Sequence, residues 1–404
     1  MTTDPPASDA SRDRLSPLHD EHVALGAHLT SFGGWQMPLR YTSDLAEHRA
    51  VREAAGLFDL SHMGEIEVAG PGAAAALDHA LVGHLSAVAL GRARYTMLCA
   101  EDGSVLDDLV VYRLDEERFL VVANAGNAGL VARELVERAA GFDAVVTDRG
   151  SETALVAVQG PLAEEIVAGL VEAGDDATGA GGRVQVVRDL KYYAAAPVTL
   201  AVEDGAVEAL VARTGYTGED GFELFVPADR ARALWRTVLE AGRPHGLVPA
   251  GLSARDSLRL EAGMPLYGHE LDTTTTPYEA GLGRVVKLDK TAADGSPLPF
   301  VGRGALAARR SSAPARVLVG LKGLGRRPAR AGYAVVAPGG GGGAPQVGTV
   351  TSGAPSPTLG HPIAMAYVTP ELSAEGTELA VDVRGRAEPV VVVPLPFYRR
   401  PQRP

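Results

Sequence analysis

The chain has 404 residues, 46% hydrophobic and 22% charged, which suits two or three globular domains and excludes a disordered or fibrous chain. A formal net charge of -12 argues against non-specific nucleic-acid binding, and no run of about eighteen apolar residues offers a membrane span. The single cysteine, Cys99, excludes an internal disulfide and nearly excludes a cysteine metal site; within "YTMLCA" it reads as a small core residue.

In chain order, "MTTDPPASDASRDRL" lacks an apolar signal core and reads as a short disordered tail, which with the lone cysteine points to a cytoplasmic protein. From Ser16 a short helix leads to a Gly-rich loop holding Trp35. Ser43 is a plausible cap for a helix with Leu45, Ala50, Val51 and Ala54 on helical spacing, and Gly56 suits its stop. "GEIEVAGPGAAAALDHALV" reads strand, turn, helix. "RARYTMLCAEDGSVLDDLVVYRLDEERFLVVANAGN" reads as three strands with turns at Asp102–Gly103 and "LDEER", followed by the helix "AGLVARELVERAAG". This order implies an α+β unit with an antiparallel sheet.

A second such unit starts near residue 150. It holds the strand "TALVAVQGP", a helix from Leu162 to Ala173 stopped by Gly174, and two strands flanking "RTGYTGEDG". In "ADRARALWRTVLEAG", Ala231, Leu234, Trp235, Val238 and Leu239 form one helical stripe, with Asp229 as cap and Gly242 as stop. "SARDSLRLEAG" is a further helix with Ser253 as cap. The last hundred or so residues alternate Val-rich strands with turns and read as a small β-barrel or sandwich. Gly339 to Gly343 read as a hairpin loop, since no Lys-Ser/Thr or helix start follows to make a phosphate cradle. Arg309, Arg310, Arg316, Arg326, Arg327 and Arg330 gather in one region; a solvated face is the simpler reading, an anionic partner the alternative.

Common nucleotide and metal motifs are absent, and the ten histidines do not cluster; His62 in "LSHMGE" reads as structural. Three stretches carry chemistry. In "GSVLDDLVVY" two adjacent carboxylates, Asp107 and Asp108, sit in a strand, so one must point to each face. In "RTGYTGEDGFELFV", Gly215, Gly218 and Gly221 imply a tightly turned backbone, with Glu219 and Asp220 solvated in the turn. Glu223 and Phe225 share one strand face, suited either to a flat ring with N–H donors or to plain solvent exposure. In "AGLSARDSLRLEAGMPLYGHEL", Arg255 and Arg259 are four apart on a helix, either in surface pairs or holding a carboxylate.

Taken with "FGGWQMPLRY", "FDLSHMGE", "VVANAGN", "ALVAVQGP", "FVGRGAL" and "TSGAPSPTLG", these stretches follow the order seen in the glycine cleavage T-protein family, and the chain resembles it from about Ser16 to "PLPFYRR". The resemblance implies an α+β, three-domain cloverleaf around a folate channel. Its domains would be 1–57 with 149–276, 58–148, and a β-barrel-like 277–404. It implies an aminomethyltransferase that takes the methylene carbon from the aminomethyl-lipoyl arm of H protein to tetrahydrofolate, releasing ammonia, without a metal. It makes Asp108 the catalytic acid, Glu223 the pterin-binding acid and Arg255 a ligand contact, with Tyr112, Asn124, Tyr192, Tyr216 and Tyr398 as further folate contacts. Asp107 should then be held by neighbouring donors. The hairpin at Gly339 to Gly343 and the segment "VEAGDDATGAGGRVQVVRDLKYY" look longer than in close relatives and should be surface loops. The alternatives are another folate-dependent one-carbon transferase, or a folate-binding protein assisting iron–sulfur assembly. The latter carry "KGCYxGQE" where this chain reads "RTGYTGEDGFE", without a cysteine.

Overall fold

The computed structural model describes residues 13–172, 179–292, 294–338 and 345–401, without the side chains of 179–183. The N-terminal tail through residue 12, the Gly174 stop and the Gly339 to Gly343 loop lie outside the described residues.

The chain opens with β1 (Arg14–Leu15), α1 (His19–Ala24), β2 (His28–Phe32), β3 (Trp35–Arg40), α2 (Asp44–Glu53) and β4 (Ala55–Asp59). Next come β5 (Gly64–Ala69), α3 (Ala73–Ala80), β6 (Ala93–Cys99), β7 (Val105–Arg113), β8 (Arg118–Ala123), α4 (Ala128–Arg138) and β9 (Val145–Asp148). Then follow β10 (Thr153–Gln159), α5 (Ala163–Gly169), α6 (Gly179–Asp189), β11 (Ala195–Val202), β12 (Gly205–Ala212), β13 (Gly221–Pro227), α7 (Ala231–Gly242), β14 (Leu247–Pro249) and α8 (Leu252–Glu261). The last part holds α9 (Arg303–Arg310), β15 (Val317–Gly323), β16 (Ala334–Val336), β17 (Gln346–Pro355), β18 (Pro362–Val368), β19 (Glu378–Asp382) and β20 (Ala387–Val393).

The α+β expectation with a β-barrel tail holds. One sheet has the order β11-β12-β13-β10-β4-β14, a second the order β6-β7-β8-β5-β9, and β15-β18-β17-β16-β19-β20 close into a barrel. Strand β4 therefore pairs with β10 although some ninety residues separate the two. The segment from Leu271 to Leu306 packs Ala280, Val286 and Phe300 against Met97, Cys99 and Val105 of the second sheet. We propose domain boundaries near 57, 149 and 277, with that segment as a strap across the second domain.

The amphipathic stripe of α7 is buried as expected: Ala231, Leu234, Trp235 and Val238 fill the core under the first sheet with Phe222, Leu224 and Val226. Alternation on β13 sends Phe225 to the other face. There Phe225, Leu155 and Ala157 meet Tyr112, Leu120 and Val122 of the second sheet. The two sheets thus share one apolar layer, and the functional cavity opens at its edge.

Several local expectations are corrected. The Gly-rich loop at Trp35 is the hairpin β2–β3 turning at Gly33–Gly34. Ser43 caps α2, accepting from Ala46 N at 3.5 Å, but the helix ends at Glu53 and Gly56 lies inside β4. Asp229 sits in a 3-10 turn before α7 and makes no cap bond, because the chain enters the helix through that turn. Ser253 lies within α8, which starts from Gly251.

Candidate active site

Strand β7 crosses the second sheet with Val105, Leu109 and Val111 in its core, whereas Asp108, Val110 and Tyr112 look to the shared layer and the cavity. Asp108 is held by neutral donors: Tyr95 Oη donates to Oδ2 at 2.9 Å and Asn124 Nδ2 to Oδ1 at 2.9 Å. Burial raises its carboxyl above the ordinary range, offset in part by those two bonds. Asp107, on the opposite face, is 0% exposed and accepts from Asn124 N at 3.1 Å, Asn124 Nδ2 at 2.9 Å and Asn127 Nδ2 at 2.8 Å.

Across the cavity stands Glu223 on β13. Its register neighbours are Ala157 and Ala212, whose small side chains leave its carboxyl room. Thr214 Oγ1 and Tyr112 Oη, the latter at 3.2 Å, both donate to Glu223 Oε2, so Oε1 has no protein partner among the described residues. The loop ahead of β13 owes its shape to glycine at one contact above all. Gly215 and Gly221 lie against the Gln159 amide, where added Cβ atoms would come within 2.0 and 2.4 Å. Gln159 Nε2 in turn donates to Thr214 O at 3.0 Å, which fixes the residue that binds Glu223.

Arg255 of α8 stacks its guanidinium over the Tyr216 ring at 4.7 Å and has no ion-pair partner among the described residues. Tyr216 is anchored through its hydroxyl to Pro265 O. The cavity between these groups holds about 480 Å³ and is also lined by Phe32, His62, Tyr193 and Tyr267. That volume lies in the usual range for a small-molecule site, roughly 300–1,000 Å³. Among the described residues no cluster of His, Cys, Asp or Glu could hold a metal ion.

The family described as GCVT N-terminal domain matches residues 18–290, and the glycine cleavage T-protein C-terminal barrel domain matches 316–399. An aminomethyltransferase of Streptomyces avermitilis is 58% identical, covering 96% of this chain and 98% of that protein. One from Moorella thermoacetica is 45% identical over 96% and 99%. The crystal structure of glycine cleavage system aminomethyltransferase T from Bartonella henselae superposes with a TM-score of 0.83 at 36% identity, over 96% of this chain and 99% of that one. The chain belongs to the glycine cleavage T-protein family. It is an enzyme of this folate-dependent aminomethyltransferase class, with tetrahydrofolate as co-substrate.

The structure brings Asp108, Tyr112, Asn124, Tyr216, Glu223 and Arg255 to one cavity. Tyr192 and Tyr398 lie elsewhere. Tyr192 is 48% exposed with its ring edge-on to Tyr193 at 4.9 Å. It is Tyr193, turned by a left-handed φ of 60°, that reaches the cavity. The Tyr398 ring lies under Arg52 at 4.1 Å, and its backbone N donates to Glu261 O, so it ties the chain's end to α8.

Four further readings change. Glu219 and Asp220 are buried rather than solvated: Arg52 pairs with Glu219 at 2.9 Å and Arg213 Nε reaches Asp220 Oδ1 at 3.0 Å. Arg259 does not share a ligand with Arg255; it is buried against Glu270 and Ser352, each at 2.8 Å. Of the tail arginines, Arg309, Arg310, Arg326, Arg327 and Arg330 are exposed as the solvated reading expects, but Arg316 departs from it, stacking over Tyr367 at 4.5 Å and pairing with Glu279 at 3.3 Å. His62, read as a satisfied structural residue, lines the cavity with Nδ1 buried and unbonded. Burial, then the Arg255 charge, holds its imidazole down at about 4, so it is neutral at physiological pH. A lone histidine carries no spacing signal. Tyr95, Tyr193, Thr214 and Tyr267 were also missed; only the alternation of β6, which puts Tyr95 next to the face of Asp108, could have pointed to one of them.

Proposed function

We propose that the cavity is the tetrahydrofolate site and that Asp108 is the catalytic acid of aminomethyl transfer from lipoylated H protein. The observation that carries this reading is the placement of Asp108 and Glu223. They come from different sheets, face one aromatic-walled cavity, and are held by neutral donors, leaving acceptor capacity free.

The reaction breaks the carbon–nitrogen bond to release ammonia and the carbon–sulfur bond to release the dihydrolipoyl thiol. The carbon ends bonded to two nitrogens of tetrahydrofolate, whose N–H hydrogens balance those gained by ammonia and thiol. Tetrahydrofolate supplies the nucleophilic nitrogens. The protein's work is then binding, orientation and charge. Glu223 Oε1 accepts from N–H groups on the pterin edge, while Thr214 and Tyr112 fix Oε2. The Arg255 guanidinium, stacked on Tyr216, takes an electronegative group of the folate. Asp108, whose partners Tyr95 and Asn124 are uncharged, keeps its negative charge for the carbon as positive charge develops there. Such stabilisation is worth about 3 kcal/mol. The same carboxylate can accept an N–H proton. A carboxylate already paired with an arginine would do neither well.

Lipoylated H protein is the proposed partner and the cytoplasm the proposed compartment; among the described residues no helix is long and apolar enough to cross a membrane. The test mixes purified protein, aminomethylated H protein and tetrahydrofolate. Stoichiometric ammonia and 5,10-methylenetetrahydrofolate are expected. Folate binding with no product would reduce the protein to a folate carrier.

A further inference from the structure

Asp107 and Asp108 leave opposite faces of β7, yet one amide serves both. Asn124 Nδ2 lies 2.9 Å from Asp107 Oδ1, 2.9 Å from Asp108 Oδ1 and 3.2 Å from the Asp108 carbonyl. An amide nitrogen has two hydrogens, so three acceptors compete for them. The backbone N of Asn124 also donates to Asp107 Oδ2 at 3.1 Å, and Asn127 Nδ2 donates to Oδ1 at 2.8 Å. Asp107 therefore clamps both the main chain and the side chain of Asn124, at the start of the loop that forms the cavity wall.

We propose that Asp107 is a positioning residue for aminomethyl transfer: it clamps Asn124 so that the Asn124 amide stays aimed at Asp108. This rests on the role of Asp108 proposed above. Burial and the Glu270 charge raise the Asp108 carboxyl, and burial with the Asp108 charge in turn raises Asp107. Asp108 faces Tyr95 of β6, Tyr193 before β11, Tyr216 of the glycine loop, and Tyr267 and Glu270 beyond α8. Burial keeps those tyrosines in the phenol form, and Glu270 is neutralised by Arg259. Asp107 faces Asp108 and Tyr267, and among the described residues no Lys or Arg pairs with it. Burial and then the Asp108 charge push Asp107 up to about 7, so the pair gives up its second proton near neutrality.

A strut without a catalytic effect would lower Tm and leave kcat of the folded variant in place. The deciding experiment measures kcat, KM for tetrahydrofolate and Tm from about pH 5 to about pH 9 for wild type and Asp107→Asn. Asp107→Ser, also uncharged but lacking an amide, serves if the first variant does not fold. Removing the carboxylate is expected to release the Asn124 amide from its aim at Asp108. It should lower kcat roughly tenfold, as loss of an orienting partner does around metal ligands, with KM within about twofold. A kcat within about twofold of wild type in an uncharged folded variant, or a loss confined to KM, overturns the inference while turnover by the wild type upholds the proposed function. Absence of turnover in the wild type would remove both.

Discussion

Glu65 of β5 is fully buried, and neither of its carboxyl oxygens has a hydrogen-bond partner among the described residues. Burial, reinforced by Asp148, holds it protonated well above the usual carboxylate range. The native state therefore keeps a proton that the unfolded chain loses above about 4.5, so stability must fall as pH rises from there through the folded value. Glu65→Met, close in volume and without a polar group, should raise stability at neutral pH by about 1–3 kcal/mol and flatten that slope. Urea melts at several pH values would show it; a lower midpoint with an unchanged slope would count against the unpaired carboxyl. At the other carboxylate, Glu223→Ala should raise the dissociation constant for tetrahydrofolate tenfold or more, on the order of a lost hydrogen bond to a charged group. An unchanged constant by isothermal titration would refute the pterin contact. The sequence made the two faces of the Asp107–Asp108 doublet legible, because strand alternation leaves no choice. It could not show Asn124 bridging them, since that bond spans sixteen residues and depends on how β8 meets α4.

Among elements, α2 does more than its amphipathic pattern suggests. Its Arg52 pairs with Glu219 at 2.9 Å and Glu261 at 2.8 Å, donates to Thr217 O and lies over Tyr398. One buried guanidinium thus joins the glycine loop, α8 and the chain's last described segment. Arg52→Met would leave buried Glu219 without its cation and Glu261 with only His48, Ser356 and Thr358, and a loss of about 3–5 kcal/mol is expected in chemical unfolding. Folate affinity should weaken with it, because the same loop carries Thr214 and leads into the strand of Glu223; a stable variant with normal affinity would contradict this coupling. These partners explain why the loop misled the reading of Glu219 and Asp220. Gly, Glu and Asp in a row signal a solvated turn locally, but Arg52 lies 167 residues from Glu219. Helix α7 was legible because its stripe is local. The hairpin β2–β3 reads locally as a loop because Gly33 and Gly34 stand at its turn, and β3 tolerates Pro38 because β1 pairs only with Trp35 and Gln36.

At the scale of the whole molecule, the proposed site lies where two sheets meet. Each sheet on its own presents one carboxylate, and only their shared apolar layer sets Asp108 opposite Glu223. A ligand bridging the two should stabilise the fold as a unit. Tetrahydrofolate at one hundred times its dissociation constant should add about 2.7 kcal/mol, and calorimetry that finds no shift would argue against a folate cavity between the sheets. The two acids should also fail in opposite ways. The most direct test measures turnover with aminomethylated H protein alongside the tetrahydrofolate dissociation constant for Asp108→Asn. The expected result is a loss of at least about a hundredfold in kcat with the dissociation constant within about twofold. Near-normal turnover, or a loss explained wholly by weaker folate binding, would contradict Asp108 as the catalytic acid.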